Sequence, residues 1–230
     1  MTGKSLIFKT VKYMSIAIVM ICVIFIVQSK WASADDDSIT YKSVLKFGGG
    51  IVSAFLIHEG AHAVVGVLTG TKMDWKAGDI NQPITFTEFS TSKERGWLIN
   101  SAGLVTQAAA AEFILQYDKI DKNDSFVRGM MLWNIINPLM YALDYWVIKK
   151  TNSFTDNGYT GDLGGIEYYS SKGTANVFAG TMVAIAAFQG YRFVRTQSWA
   201  PEWIKGQYFD NVGLTPLPSG GAILSFSFEF

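Results

Sequence analysis

Both histidines of this 230-residue chain fall in one pentapeptide, His58-Glu59-Gly60-Ala61-His62. On a helix, positions i and i+4 lie on one face, so both imidazoles can reach one ion. Glu59 is rotated aside, where it can take a proton from a metal-bound water without itself ligating. This is the H-E-x-x-H arrangement. Zinc is the ion expected, because it favours imidazole with carboxylate in a tetrahedral site that keeps one position open. Two imidazoles and a carboxylate inside the apolar run Ile51 to Leu68 are costly to bury without such a purpose. Gly60 costs about 1 kcal/mol of helix propensity relative to Ala. With Ala61 it leaves room beside the ion.

A third protein ligand is needed. No other histidine exists, and the one cysteine, Cys22, lies in an N-terminal segment read below as removed. The ligand is therefore an Asp or a Glu. Asp162 lies in Tyr159-Thr160-Gly161-Asp162-Leu163-Gly164-Gly165, where glycines can present a carboxylate, though it could equally cap a helix from Leu163. Asp144 follows Asn137-Pro138 near the end of an apolar segment, where it could instead be an interfacial residue beside Lys149. Glu112 sits inside another apolar segment and could face a polar partner between helices. Chemistry alone does not rank the first two.

The elements that must hold these groups are mainly α-helical. Four apolar segments run from about Val44 to Leu68, Gly96 to Leu115, Gly129 to Ile148 and Thr174 to Phe193. Each is close to the length needed to cross hydrocarbon as a helix. Small residues crowd them, as at Gly48-Gly49-Gly50 and Ala108 to Ala111, and small residues let membrane helices approach closely. Asn100, Gln107, Asn134 and Asn137 inside them keep open a compact soluble helical domain, but membrane embedding is the preferred expectation. Between the first two segments, Met73 to Thr91 alternates in a strand-like way and predicts one or two short strands. Lys149 to Gly173 reads as a polar loop with a short helix. At the C-terminus, Ala222 to Phe230 predicts a strand, expected to join the Met73–Thr91 sheet as an edge.

Residues 1–34 read as a signal peptide or N-terminal anchor. Lys4, Lys9 and Lys12 precede the apolar run Met14 to Val27, and Ala32-Ser33-Ala34 precedes three aspartates. That order marks a cleavable leader, with cleavage expected after Ala34. Residues 35–230 then form a single membrane-embedded domain. Loss of the leader takes four of the 19 basic residues and no acid, leaving 15 against 19 acidic. With 49% hydrophobic and only 17% charged residues, disorder is excluded. No nucleic-acid partner is expected, since no basic excess is present to neutralise phosphates. A cysteine-free remainder excludes thiol catalysis.

The run HEGAHAVVGVLTG, the strand-like residues after it, and Asn100-Ser101-Ala102-Gly103-Leu104 together resemble the site-2 protease superfamily of membrane-embedded zinc peptidases, in its short divergent bacterial branch. The resemblance covers about half the chain, and the H-E-x-x-H element is its specific part. It implies that His58, His62 and a distant aspartate bind zinc and that Glu59 is the general base. Ala102-Gly103 matches the family's Ala-Gly element, and Asn137-Pro138 leading to Asp144 resembles its Asn/Pro element, although Tyr145 follows that aspartate where the family has glycine. A later aspartate in a small-residue turn is implied for the divergent branch, which favours Asp162 over Asp144.

The function expected is a zinc-dependent endopeptidase acting in or near the membrane on a protein or peptide substrate. A zinc-bound water is its nucleophile, Asn137 is a donor to the developing oxyanion, and Ile84–Phe89 is an edge that takes substrate as an added strand. A bacterial cell envelope, at the inner membrane, is the setting implied. A non-catalytic metal-binding membrane protein and a structural envelope component are the other readings. The first keeps a closed site, and the second needs no metal.

Overall fold

The computed structural model describes residues 40–75, 84–86, 92–148, 154–155, 158–159, 161–205, 212–216 and 222–226. The leader expected over residues 1–34 lies outside them. The described chain is mainly helical. Helix α1 spans Tyr41–Leu68, α2 Lys93–Gln116, α3 Ser125–Leu143, α4 Gly161–Tyr169, α5 Lys172–Arg195 and α6 Glu202–Lys205. A π-helical turn, Asp144–Ile148, prolongs α3.

The helix ends follow from local sequence. Thr40 and Ser43 form a reciprocal capping box at the start of α1, each side chain accepting from the other's backbone N–H. Its far end closes as a Schellman motif: Gly70, at φ +70°, donates to Val67 O, and Thr71 to Gly66 O. Ser92, Asp124 and Ser171 cap α2, α3 and α5. Asp124 also pairs with Lys46 of α1. The Lys46 ammonium and the capped backbone outweigh partial burial and hold the Asp124 carboxyl below its usual range.

Helix α1 packs on α3 and α2, α3 on α5, and α2 on α4. At the α1–α3 crossing the backbones meet without intervening side chains. A Cβ at Gly50 would overlap the carbonyl of Phe126, and one at Gly129 would overlap that of Phe47. Each glycine therefore admits the helix opposite it. Gly129→Ala is expected to destabilise the fold by at least ~1–3 kcal/mol, since backbone rather than a flexible tip must move. Gly48→Ala, whose Cβ would meet nothing within 4 Å, is expected to be neutral to slightly stabilising, by up to ~1 kcal/mol of helix propensity. Thermal unfolding in detergent checks the pair, and equal Tm values would refute the close crossing.

Among the described residues, three helices are long and apolar enough to cross a membrane: α1, α2 and α5. Four spans were expected, and α3 does not qualify. Its 19 residues include Arg128, Asn134, Asn137 and Pro138, which dilute its apolar character. The distribution of side chains matches a lipid surround. Val44, Leu45, Val52, Leu56, Val64 and Val67 of α1 are exposed, whereas His58, Glu59, Asn100, Gln107, Asn134 and Gln189 are buried. A soluble helix in a domain core shows the reverse order.

The described backbone also pairs antiparallel at Met73–Trp75 with Ile84–Phe86, at Phe154–Thr155 with Gly158–Tyr159, and at Val212–Pro216 with Ala222–Phe226. The C-terminal segment is thus paired with its own preceding stretch and not with the Met73–Thr91 region as expected. Phe228 and Phe230 lie outside the described residues.

Candidate metal centre

His58 and His62 sit one turn apart on α1, both buried, with ring centroids 4.8 Å apart. Their Nε2 atoms approach to 3.2 Å. Asp162, the second residue of α4, brings its carboxylate to the same point. Oδ2 is 3.2 Å from His58 Nε2 and Oδ1 is 3.4 Å from His62 Nε2. These three residues, two on one turn of α1 and the third about a hundred positions later in the chain, form a buried group whose ligand atoms lie within 4.8 Å of one another. Such a group could hold a metal ion.

The hydrogen bonds around the group fit a cation. His62 Nδ1 lies 2.7 Å from the carbonyl oxygen of Ile99, and His58 Nδ1 lies 2.9 Å from Gln107 Oε1. Both partners are acceptors, so each Nδ1 carries a proton, and a neutral ring then presents its Nε2 lone pair to the group. Two lone pairs and a carboxylate then face one another, and Asp162 Oδ2 is buried without a hydrogen bond. Like-signed groups at this separation repel unless a proton or a metal cation lies between them. Acceptors behind the outer ring nitrogens are what metal-binding imidazoles use to fix tautomer and ring orientation.

Helix α2 builds that outer support from one face. Ile99, Gly103 and Gln107 recur at i, i+4 and i+8. Gly103 has a steric task as well: a Cβ there would stand 2.5 Å from His58 Cε1 and His62 Nε2. Asn137 of α3 completes the chain, its Nδ2 donating to Gln107 Oε1 at 2.8 Å. Gln107 is thereby held by α3 while it holds His58.

Asp162 is placed by a turn that only glycine tolerates well. Gly161 has φ +68°, and α4 begins there. Leu163, Gly164, Gly165 and Ile166 bury α4 in the core with Leu104 of α2 and Ala142 of α3 nearby. Gly96 of α2 lies flat against the Tyr169 ring, where no side chain would fit. Burial alone would raise the Asp162 carboxyl, but positive charge at the facing imidazoles of His62 and His58 outweighs it and holds it well below the usual carboxylate range. It is ionised at neutral pH, as a ligand must be. Glu59 is buried beside the group and close enough to His58, His62 and Asp162 to interact electrostatically with all three.

The other two carboxylates weighed as ligands lie elsewhere. Asp144 opens the π-helical turn, half-buried, and is not part of the group. Glu112 is bound by Arg192 of α5, whose Nη1 donates to Oε1 and Oε2 at 2.7 and 2.8 Å. Gln116 and Gln189 donate to it as well. It joins α2 to α5 as a structural ion pair and has no share in the metal centre.

Two contributors were not legible as site residues. Gln107 was read only as a polar residue in an apolar segment, though its i+4 spacing from Gly103 carried a signal. Tyr141 stacks on His58 with centroids 5.6 Å apart at 26°. It lies one turn after Asn137, a face that the sequence does display.

No family model, no curated protein and no solved structure matches this chain.

Proposed function

We propose that the chain is a membrane-embedded, zinc-dependent endopeptidase. The observation that carries this reading is the convergence of His58 Nε2, His62 Nε2 and the Asp162 carboxylate, with both Nδ1 atoms tied back by acceptors and Glu59 alongside. Two imidazoles and one carboxylate are a zinc donor set, and three protein ligands are the number that leaves a position open for chemistry. The H-E-x-x-H spacing and the resemblance to site-2 proteases support the same conclusion. Bound zinc supplies a Lewis acid that polarises a carbonyl and brings the pKa of a water toward ~7.

The protein's own groups do the rest. His58, His62 and Asp162 hold the ion, while Ile99 O and Gln107 fix the two rings. Asn137 positions Gln107. Glu59 accepts the proton of the attacking water and returns it to the leaving amine. The Ile84–Phe86 strand receives substrate as an added strand, since an extended backbone is the form a peptidase attacks. The apolar exteriors of α1, α2 and α5 support a membrane setting for this chemistry, and a bacterial inner membrane with an exported N-terminus is the setting proposed.

The test is metal removal. The detergent-solubilised full chain is expected to contain stoichiometric zinc and to cleave an unstructured protein such as casein. Treatment with 1,10-phenanthroline should abolish cleavage, and added zinc should restore it. Cleavage indifferent to the chelator, or a purified chain without metal, would overturn the reading.

A further inference from the structure

Tyr141 touches the metal group without being needed to build it. Its ring stacks on His58, and its Oη lies 3.4 Å from His58 Nε2. That nitrogen has other work. With the proton on Nδ1, bound to Gln107 Oε1, the Nε2 lone pair is directed among His62 Nε2 and Asp162 Oδ2, each 3.2 Å away. The hydroxyl therefore stands beside a ligand atom rather than behind it. A zinc–imidazole bond is ~2.0–2.1 Å long, so a group 3.4 Å from the ligating nitrogen borders the coordination sphere. The Gly103 backbone also packs against both imidazoles and carries no group that could donate there from a side chain. Asn137, one turn earlier on α3, has its Nδ2 engaged by Gln107 Oε1. The α3 donor that stands next to the His58 ligating nitrogen is the tyrosine hydroxyl.

We infer that Tyr141 is a catalytic hydrogen-bond donor to the oxygen that gains negative charge when the scissile carbonyl is attacked. The inference rests on the zinc-peptidase reading and names the group that stabilises its transition state. No proton or electron is transferred: the phenol O–H donates, the oxyanion accepts, and the bond lapses when the carbonyl re-forms. A donor placed where charge develops lowers the barrier more than it strengthens ground-state binding.

Tyr141→Phe keeps the ring and its stacking and removes only the hydroxyl. Three quantities separate the outcomes: zinc content, affinity for acetohydroxamate by calorimetry, and kcat and KM for casein cleavage. Unchanged zinc, acetohydroxamate binding weakened about tenfold, and kcat reduced about 100-fold at constant KM are expected. Loss of zinc would overturn the inference, because Tyr141 would then be a fourth ligand closing the site. Full acetohydroxamate affinity with full kcat would overturn it too. A wild-type chain that binds zinc and acetohydroxamate, weakens with Tyr141→Phe, yet cleaves nothing supports the hydroxyl as donor and overturns the peptidase reading alone.

Discussion

Glu59→Gln is expected to lower peptide cleavage by about 10²–10⁴-fold while zinc stays bound. The substitution preserves the length and nearly the volume of the side chain, so packing beside the group survives. It removes the one property that general-base chemistry needs, a carboxylate able to take a proton. Glu59 neighbours His58 in sequence, but on α1 its side chain leaves the face shared by His58 and His62. It is buried with the group and not counted among its ligands. The variant therefore separates two roles. If zinc is retained and cleavage collapses, Glu59 is the base. If zinc is lost together with activity, Glu59 is a ligand and the three-residue centre is wrong. If cleavage persists at full rate, the proposed mechanism fails.

What the sequence displayed and what it hid divide along contact distance. The His58–Glu59–His62 spacing is a local helical relation, and one turn of α1 realises it. Three of the four apolar segments became span-length helices within a few residues of their expected ends, because hydrophobic runs and caps are local signals as well. The third fell short for a local reason too, its asparagines and Arg128. Partners across the fold could not be read. Glu112 looks like a stranded carboxylate until Arg192, 80 residues later, is folded against it. Chemistry alone gives Asp162 and Asp144 equal credentials as text, with only the family resemblance leaning to Asp162, and it is the packing of α4 on α2 that turns Asp162 toward the histidines. Gln107 is hidden in the same way, since its value lies in reaching His58 on one side and Asn137 on the other.

The choice between the two aspartates gives the second large effect. Asp162→Ala is expected to release zinc, weakening affinity by more than the ~10–100-fold that loss of an outer-sphere partner costs. Asp144→Ala should leave zinc content unchanged. The geometry explains the asymmetry. Among the described residues, Asp162 carries the carboxylate whose oxygens join the two imidazole nitrogens, held there by the Gly161 turn and the buried face of α4. Removing it leaves two neutral nitrogen ligands, too few to close a tetrahedral site around a divalent ion. Asp144 stands at the end of α3, where its charge reaches Tyr141 but its oxygens do not join the ligand atoms. Zinc measured on both variants after dialysis against a weak chelator decides the matter. Retention in Asp162→Ala with loss in Asp144→Ala would move the third ligand to the π-helical turn. That would require α3 to rotate its last turn toward α1, a rearrangement constrained by the Gly50–Gly129 crossing on the same pair of helices.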